Sequence, residues 1–219
     1  MSYTLVIGNK RYSSWSLRGW LAAKLAAAAS GEAVAETMVW LDRPETRAQL
    51  LSHSPAARVP VLKHRGRTIW DSLAIGLYLE RQVPAAGLLP EDPDARAHCL
   101  AIVCEMHAGF AALRNTMPMD LIARLPGAGR GAGVAEDIAR VQAIWAEARA
   151  RFGGRGGGPF LFGPPTLADC FYAPVATRFV TYAVPLEPAA AAYRDSIMAW
   201  PLLREWAAPA KDEPELPGH

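Results

Sequence analysis

Residues 83–93 carry three prolines and a glycine (Pro84, Pro90, Pro93 and Gly87), and the hydrophobic pattern of the chain changes character across them. Upstream, runs rich in β-branched and aromatic residues alternate with stripes of helical period. Downstream, every long apolar pattern is helical. Proline interrupts both helices and sheet ladders, so no regular element is expected to run through this stretch. The chain is therefore expected to form two domains: a mixed α/β part at residues 1–82, a linker at 83–93, and an all-helical part at 94–219. A length of 219 residues suits two small domains.

In the first part, residues 3–7 (Tyr-Thr-Leu-Val-Ile) read as a short buried strand ended by Gly8 and Asn9. From Ser14, Leu17, Trp20, Leu21, Leu25 and Ala28 recur at helical spacing. A strand at 35–41, a short helix at 47–51, a hairpin of strands at 61–64 and 68–70, and a buried helix at 73–81 complete the order βαβαββα. In the second part, one long helix is expected from Asp94 to about Met117. Leu100, Val103, Cys104, His107, Phe110, Ala111 and Arg114 share its stripe, and Cys99 and Cys104 read as core. A helix follows at 134–152. Another begins at Thr166, capped in a box with Asp169 and bent at Pro174, and a shorter one ends near Trp200. Residues 126–133 and 153–158 read as loops, and 211–219 as a loose tail.

The formal charge is only +2, which speaks for neither nucleic acid nor a membrane surface as partner. No secretory leader is visible. The Ala-rich residues 21–29 contain Lys24 and are too short to span a bilayer. Three cysteines in unrelated contexts, Cys99, Cys104 and Cys170, fit reduced thiols and hence a cytoplasmic location. The sequence has no CxxC and no HExxH, so no metal is expected.

Three short stretches can carry chemistry. Ser13 and Ser14 lie where a strand hands over to a helix, at unpaired N–H groups and the positive end of the dipole. An anion, including a thiolate, can sit there, although serine at such a place is also an ordinary helix cap. Arg58-Val59-Pro60 precedes a strand. A cis peptide before Pro60 would turn the Val59 backbone to a cleft, whereas a trans one would simply open an edge strand. Asp71-Ser72 precedes a helix and can take an ammonium and a carboxylate, or act as a plain capping pair.

Together the strand–Ser-Ser-x-Ser–helix start, the Val-Pro before the third strand, Asp-Ser-Leu-Ala-Ile at 71–75 and Thr-Leu-Ala-Asp at 166–169 resemble the glutathione transferase family in order and spacing. The resemblance implies a thioredoxin-like domain followed by an all-helical domain, in a homodimer, with glutathione as co-substrate. By position, Ser13 matches the catalytic serine, with Ser14 its neighbouring candidate and the N–H groups at Ser14 and Trp15 as helpers. Val59, before a cis Pro60, would pair with the cysteinyl backbone. Asp71 and Ser72 would hold the γ-glutamyl end, and Arg58 matches a position that contacts the polar ends. Residues 12–18 are most similar to the zeta class. That class carries a cysteine at the position of Trp15, and its isomerases hold an acidic substrate with an arginine about one helical turn after Arg178.

The implied activity is attack of the glutathione thiolate on an apolar or acidic electrophile, with hydroperoxide reduction open to the same thiolate. The alternatives are a cis–trans isomerase of the maleylacetoacetate type and a non-catalytic glutathione or ligand carrier. His107 and Arg114, seven residues apart on one stripe, and Met117 and Met119 are candidates for the electrophile pocket; a histidine on such a stripe is equally a core residue.

Overall fold

The computed structural model describes residues 2–154 and 156–216. The first part contains strand β1 (Ser2–Ile7), helix α1 (Ser14–Ser30), β2 (Ala33–Met38), α2 (Thr46–His53), β3 (Val61–His64), β4 (Arg67–Ile69) and α3 (Ser72–Gln82). This is the expected βαβαββα order. The sheet runs β2-β1-β3-β4, with β1 parallel to β2 and antiparallel to β3, and Leu5 stands opposite both Glu36 and Leu62. The two-residue period of β1 sorts its side chains. Tyr3, Leu5 and Ile7 pack with Leu17, Trp20, Ile75 and Leu79 of α1 and α3, while Val6 joins Val39, Leu50 and Val61 on the other face. With both faces covered, the strand reads as a continuous apolar run.

Beyond it, all the described helices and turns belong to an all-α layer: α4 (Pro93–Ala108), α5 (Ala111–Thr116), α6 (Val134–Phe152), α7 (Leu167–Thr181), α8 (Pro188–Ala199) and α9 (Pro201–Ala207). Helix α7 is buried along nearly its whole length and packs on α1, α4 and α8. Pro174 lies inside it without ending it, and the Pro174 carbonyl accepts from Thr177 Oγ1 at 2.8 Å and Arg178 Nη1 at 3.1 Å.

Four expectations are corrected. The strand expected at 35–41 lies at Ala33–Met38, because Leu41 leaves the ladder and its N–H donates to Asn9 Oδ1 at 2.8 Å. The single helix expected from Asp94 to Met117 is two, parted at Gly109 and Phe110. Gly109 is extended, Phe110 is left-handed at φ 58°, and a Cβ on Gly109 would meet the Glu105 carbonyl at 2.7 Å. Cys104 is exposed, because the buried stripe of α4 is Cys99, Ile102, Val103 and Met106. The tail expected to be loose from 211 onward instead forms a 3-10 turn at Pro209–Asp212 and docks Glu213 and Leu216 on the loop before α1. Residues 217–219 of that tail, and Arg155 of the expected 153–158 loop, lie outside the described residues.

The cap expected at Thr166 is present as a full capping box. The Asp169 carboxylate accepts from Thr166 N (2.8 Å), Thr166 Oγ1 (3.0 Å), Leu161 N (3.1 Å) and Tyr193 Oη (2.9 Å), all buried. Burial pushes the pKa of this carboxyl up, and the four donors pull it back. Asp169→Ala leaves those donors without an acceptor. Its expected cost is about 3 kcal/mol or more in urea unfolding, and a loss below about 1 kcal/mol would contradict this account of the box.

Candidate functional site

The end of the loop that leads into α1, the cis Val59–Pro60 peptide, the first turns of α1 and α3, and His107 of α4 surround a cleft of about 780 Å³. Ser13, Ser14, Trp15, Arg58, Val59, Pro60, Asp71 and Ser72 all line it, so the three stretches separated in sequence meet at one place. Leu41, Leu50 and Trp70 add apolar wall.

Ser13 is the N-cap of α1. Its Oγ accepts from Ser16 N at 3.3 Å and donates to Ser16 Oγ at 2.8 Å, and Ser16 Oγ also accepts from Gly8 N at 2.9 Å. The hydroxyls of Ser13 and Ser16 thus form a short buried relay tied to the end of β1. Ser14 lies one residue on, and its hydroxyl has no partner among the described residues. The Ser14 N–H, expected to be available, instead donates to the Tyr12 carbonyl at 3.0 Å.

At α3, Asp71 Oδ1 caps the helix through Leu73 N (3.0 Å) and Ala74 N (3.3 Å). Its Oδ2 lies 2.9 Å from His107 Nε2, so a carboxylate of the first part meets an imidazole of the second. The Asp71 side chain is still 51% exposed, and the Ser72 hydroxyl beside it is buried with no partner. Arg58 is exposed at the rim of the cleft. Val59 is half-buried there, and no described group takes its N–H or C=O.

Burial pushes the His107 imidazole below its ordinary 6.5, against the pull of Asp71 and with help from Arg18 and Arg114. The buried Nδ1 has no partner, which suits a neutral ring whose Nε2–H donates to Asp71. A histidine with a depressed folded pKa binds fewer protons folded than unfolded. Its stabilising contribution is complete above pH 6.5 and is lost as pH falls through the lower folded value. His107→Gln is therefore expected to lose less stability than the wild type between pH 7 and pH 5 in urea titrations. Equal losses would contradict the neutral assignment.

Behind the cleft wall lies a feature that sequence reading missed. Trp15 is flanked by two guanidiniums, Arg18 at 4.4 Å and Arg114 at 5.3 Å from its ring, and Arg18 also lies 5.1 Å from Phe171. Arg18 is fully buried, and none of its three guanidinium nitrogens has a hydrogen-bond partner. Burial lowers its pKa to about 9, and repulsion from Arg178 and Arg114 adds to the shift. Arg178 is likewise buried but satisfied, with Nε on the Met117 carbonyl at 2.7 Å. Arg114 and His107 do not share a helix, because of the break at Gly109, yet Arg114 Nη1 donates to the His107 carbonyl at 3.1 Å. Met117 and Met119 are buried in the core away from the cleft lining. The available sequence signal for Arg18 was a charged residue four after Ser14, inside an otherwise apolar stripe.

No group of His, Cys, Asp and Glu among the described residues is arranged to hold a metal, and no described helix is long and apolar enough to cross a membrane.

Residues 12–82 match the family model for the glutathione S-transferase N-terminal domain, and residues 131–208 match that for the C-terminal domain. A probable maleylacetoacetate isomerase of Caenorhabditis elegans is 40% identical over 78 residues, 36% of each chain. The maleylacetoacetate isomerase of Rattus norvegicus is 44% identical over 62 residues, 28% of this chain and 29% of that one. These matches span about a third of the curated relatives' length. Among solved structures, a glutathione transferase homologue from Burkholderia with bound glutathione superposes with a TM-score of 0.69 at 21% identity, over 97% of this chain and 100% of that one. A zeta-class maleyl pyruvate isomerase superposes at 0.64 with 22% identity, over 97% and 99%. The fold is thus that of a thioredoxin-like domain followed by an all-helical one.

Proposed function

Because the chain belongs to the glutathione S-transferase family and is zeta-like in character, we propose that it is a glutathione-dependent enzyme that activates the glutathione thiol for addition to a small electrophile bearing a carboxylate. The observation that carries this is the meeting, in one cleft, of the Ser13–Ser16 hydroxyl relay, the Val59–Pro60 backbone and the unpartnered Ser72 hydroxyl.

Glutathione lies along the first part of the chain. Its cysteinyl N–H and C=O pair with Val59, as a strand edge pairs with a peptide. Its γ-glutamyl carboxylate meets Ser72 at the α3 N-terminus, its ammonium meets Asp71, and Arg58 serves a polar end. The thiol faces Ser13. With the ligand present the hydroxyl relay reverses: Ser16 Oγ, held by Gly8 N–H, donates to Ser13 Oγ, and the Ser13 proton turns to sulfur. A hydroxyl that accepts two hydrogen bonds is the more polarised donor, which favours it over Ser14. Ser14 Oγ and Trp15 N–H add further donors. One unit of thiol pKa is about 1.4 kcal/mol, within reach of one or two such bonds.

The thiol proton leaves to solvent, and the thiolate adds to an electrophilic carbon of a conjugated double bond in a substrate placed against Trp15 and His107. The displaced electron pair forms an enolate that a transferase protonates from solvent. The guanidiniums of Arg18 and Arg114 behind Trp15 give this wall a positive potential, which supports a carboxylate-bearing second substrate. That potential, with the maleylacetoacetate isomerase relatives, favours a second reading as an isomerase. There the adduct rotates about the bond made single by addition and expels the thiolate, returning glutathione unchanged. Assay with maleylacetoacetate separates the two: an isomerase forms the trans product with free thiol constant, and a transferase consumes one thiol per turnover. Tight glutathione binding with no turnover of any electrophile would leave a carrier and overturn both.

We further propose a homodimer, and a division into residues 1–82 and 94–219 joined by 83–93. In that segment a 3-10 turn at Pro84–Ala86 is followed by buried Leu88 and Leu89, and the Leu88 carbonyl accepts from Leu167 N at 2.8 Å.

A further inference from the structure

The loop that delivers Ser13 is held by groups far from it in sequence. Lys10 N and Arg11 N donate to the two carboxylate oxygens of Glu213, at 2.8 and 3.0 Å. Lys10 O accepts from Trp206 Nε1 at 2.9 Å, and Arg11 O accepts from Leu121 N at 3.2 Å. All four main-chain polar groups of these two residues are thus satisfied from the helical part of the chain. The Arg11 guanidinium adds a buried two-pronged contact to Asp120, at 2.8 and 2.9 Å. Leu216 N donates to Tyr12 Oη at 3.4 Å. Within residues 8–13 the chain adds one turn of its own, in which Tyr12 N and Ser13 N donate to the Asn9 carbonyl at 3.3 and 2.8 Å.

We infer that Glu213 is a positioning residue for the thiol-activating serine: it clamps the backbone two and three residues before Ser13 and so fixes the direction of the Ser13 hydroxyl. This rests on the glutathione reading above. Two N–H groups on one carboxylate are charge-assisted and short, stronger than a single neutral bond. A catalytic hydroxyl must be held to a fraction of an ångström, and a displacement of about 1 Å can cost up to a hundredfold in rate. Glu213 touches no cleft-lining residue through a described hydrogen bond, so its effect has to run through the loop.

The test combines Glu213→Ala and Glu213→Gln with two readouts on the full chain. Amide hydrogen exchange across residues 10–16 reports the loop. The ultraviolet titration of bound glutathione thiolate, with kcat and the KM for glutathione, reports the site. Glu213→Ala is expected to speed exchange at Lys10 and Arg11 by tenfold or more. It should also raise the bound thiol pKa toward the free value and lower kcat about tenfold, with KM changed less than threefold. Glu213→Gln keeps one acceptor oxygen and is expected to fall between; if the alanine variant does not fold, it carries the same comparison at smaller amplitude. Wild-type exchange at residues 10–16 in the variant would overturn the clamp. Faster exchange with thiol pKa and kcat unmoved would overturn the catalytic role. A wild-type thiol that is itself unshifted would fell the glutathione reading and this role with it, whereas a shifted wild-type thiol that Glu213→Ala leaves in place fells the inference alone.

Discussion

Arg18→Met is expected to make the protein more stable and a poorer enzyme toward carboxylate substrates. The Arg18 guanidinium is wholly buried against Trp15 and Phe171 with none of its nitrogens hydrogen-bonded, and the charges of Arg178 and Arg114 repel it against a smaller pull from Asp71. Its folded pKa, about 9, lies well below the ordinary guanidinium value. The folded chain therefore binds fewer protons than the unfolded one between those values, and stability rises with pH across that window. Below about pH 9 the cost of burying the charge is complete, so it is fully present at neutral pH. Methionine fills similar length without a charge. Replacing buried charge by well-packed apolar groups is often worth about 1–4 kcal/mol, and loss of the stacking on Trp15 offsets about 0.5–2 kcal/mol of it. The net expectation is a gain of about 1–2 kcal/mol in urea unfolding. It should be accompanied by a fall of about tenfold or more in kcat/KM for a carboxylate-bearing electrophile and little change for a neutral one. A destabilised variant with unchanged substrate preference would contradict this account of Arg18.

Ser13→Ala is expected to lower kcat/KM by about 10²–10³-fold, the usual loss for one donor aimed at a reacting anion. It should also cost about 1 kcal/mol of stability, because the same side chain caps α1 through Ser16 N. Ser14 makes no side-chain bond to the helix, so Ser14→Ala is expected to leave stability unchanged and to lower the rate by tenfold or less. Steady-state rates together with urea midpoints separate the two positions. A large rate loss in Ser14→Ala with Ser13→Ala near wild type would make Ser14 the donor. Near wild-type rates in both would remove the serines from the chemistry.

The parts of this molecule legible in its sequence are those set by near neighbours. The handover from β1 to α1 at Ser13, the capping box of Thr166 and Asp169, and the hairpin around Gly66 are each written within a few residues, and each is present in the structure. Val59–Pro60 and Asp71–Ser72 could be singled out because proline and capping pairs carry local backbone meaning, and the fold brings both to the cleft that holds Ser13.

What escaped the sequence is made between distant segments or runs against a local rule. Phe110 in a left-handed conformation is unusual for a bulky residue, and helical periodicity continues across it, so Gly109 was the one local sign of the break between α4 and α5. Met117, a candidate for the electrophile pocket, is buried in the core and is not among the residues lining the cleft. The Asp71–His107 contact and the docking of Glu213 on Lys10 and Arg11 join residues 36 to 203 positions apart, and no pattern within either segment announces them. Arg18 was visible as a charge on an apolar stripe. Its burial without a partner depends on Phe171 and Arg178 of α7, which only the packing of the two parts brings to it.

The most direct measurement is the ultraviolet titration of the glutathione thiolate on the wild-type protein at saturating protein. The account predicts a bound thiol pKa at least about one unit below that of free glutathione, and its return toward the free value in Ser13→Ala. Tight binding with the thiol pKa unmoved from its free value would contradict thiolate activation at this cleft.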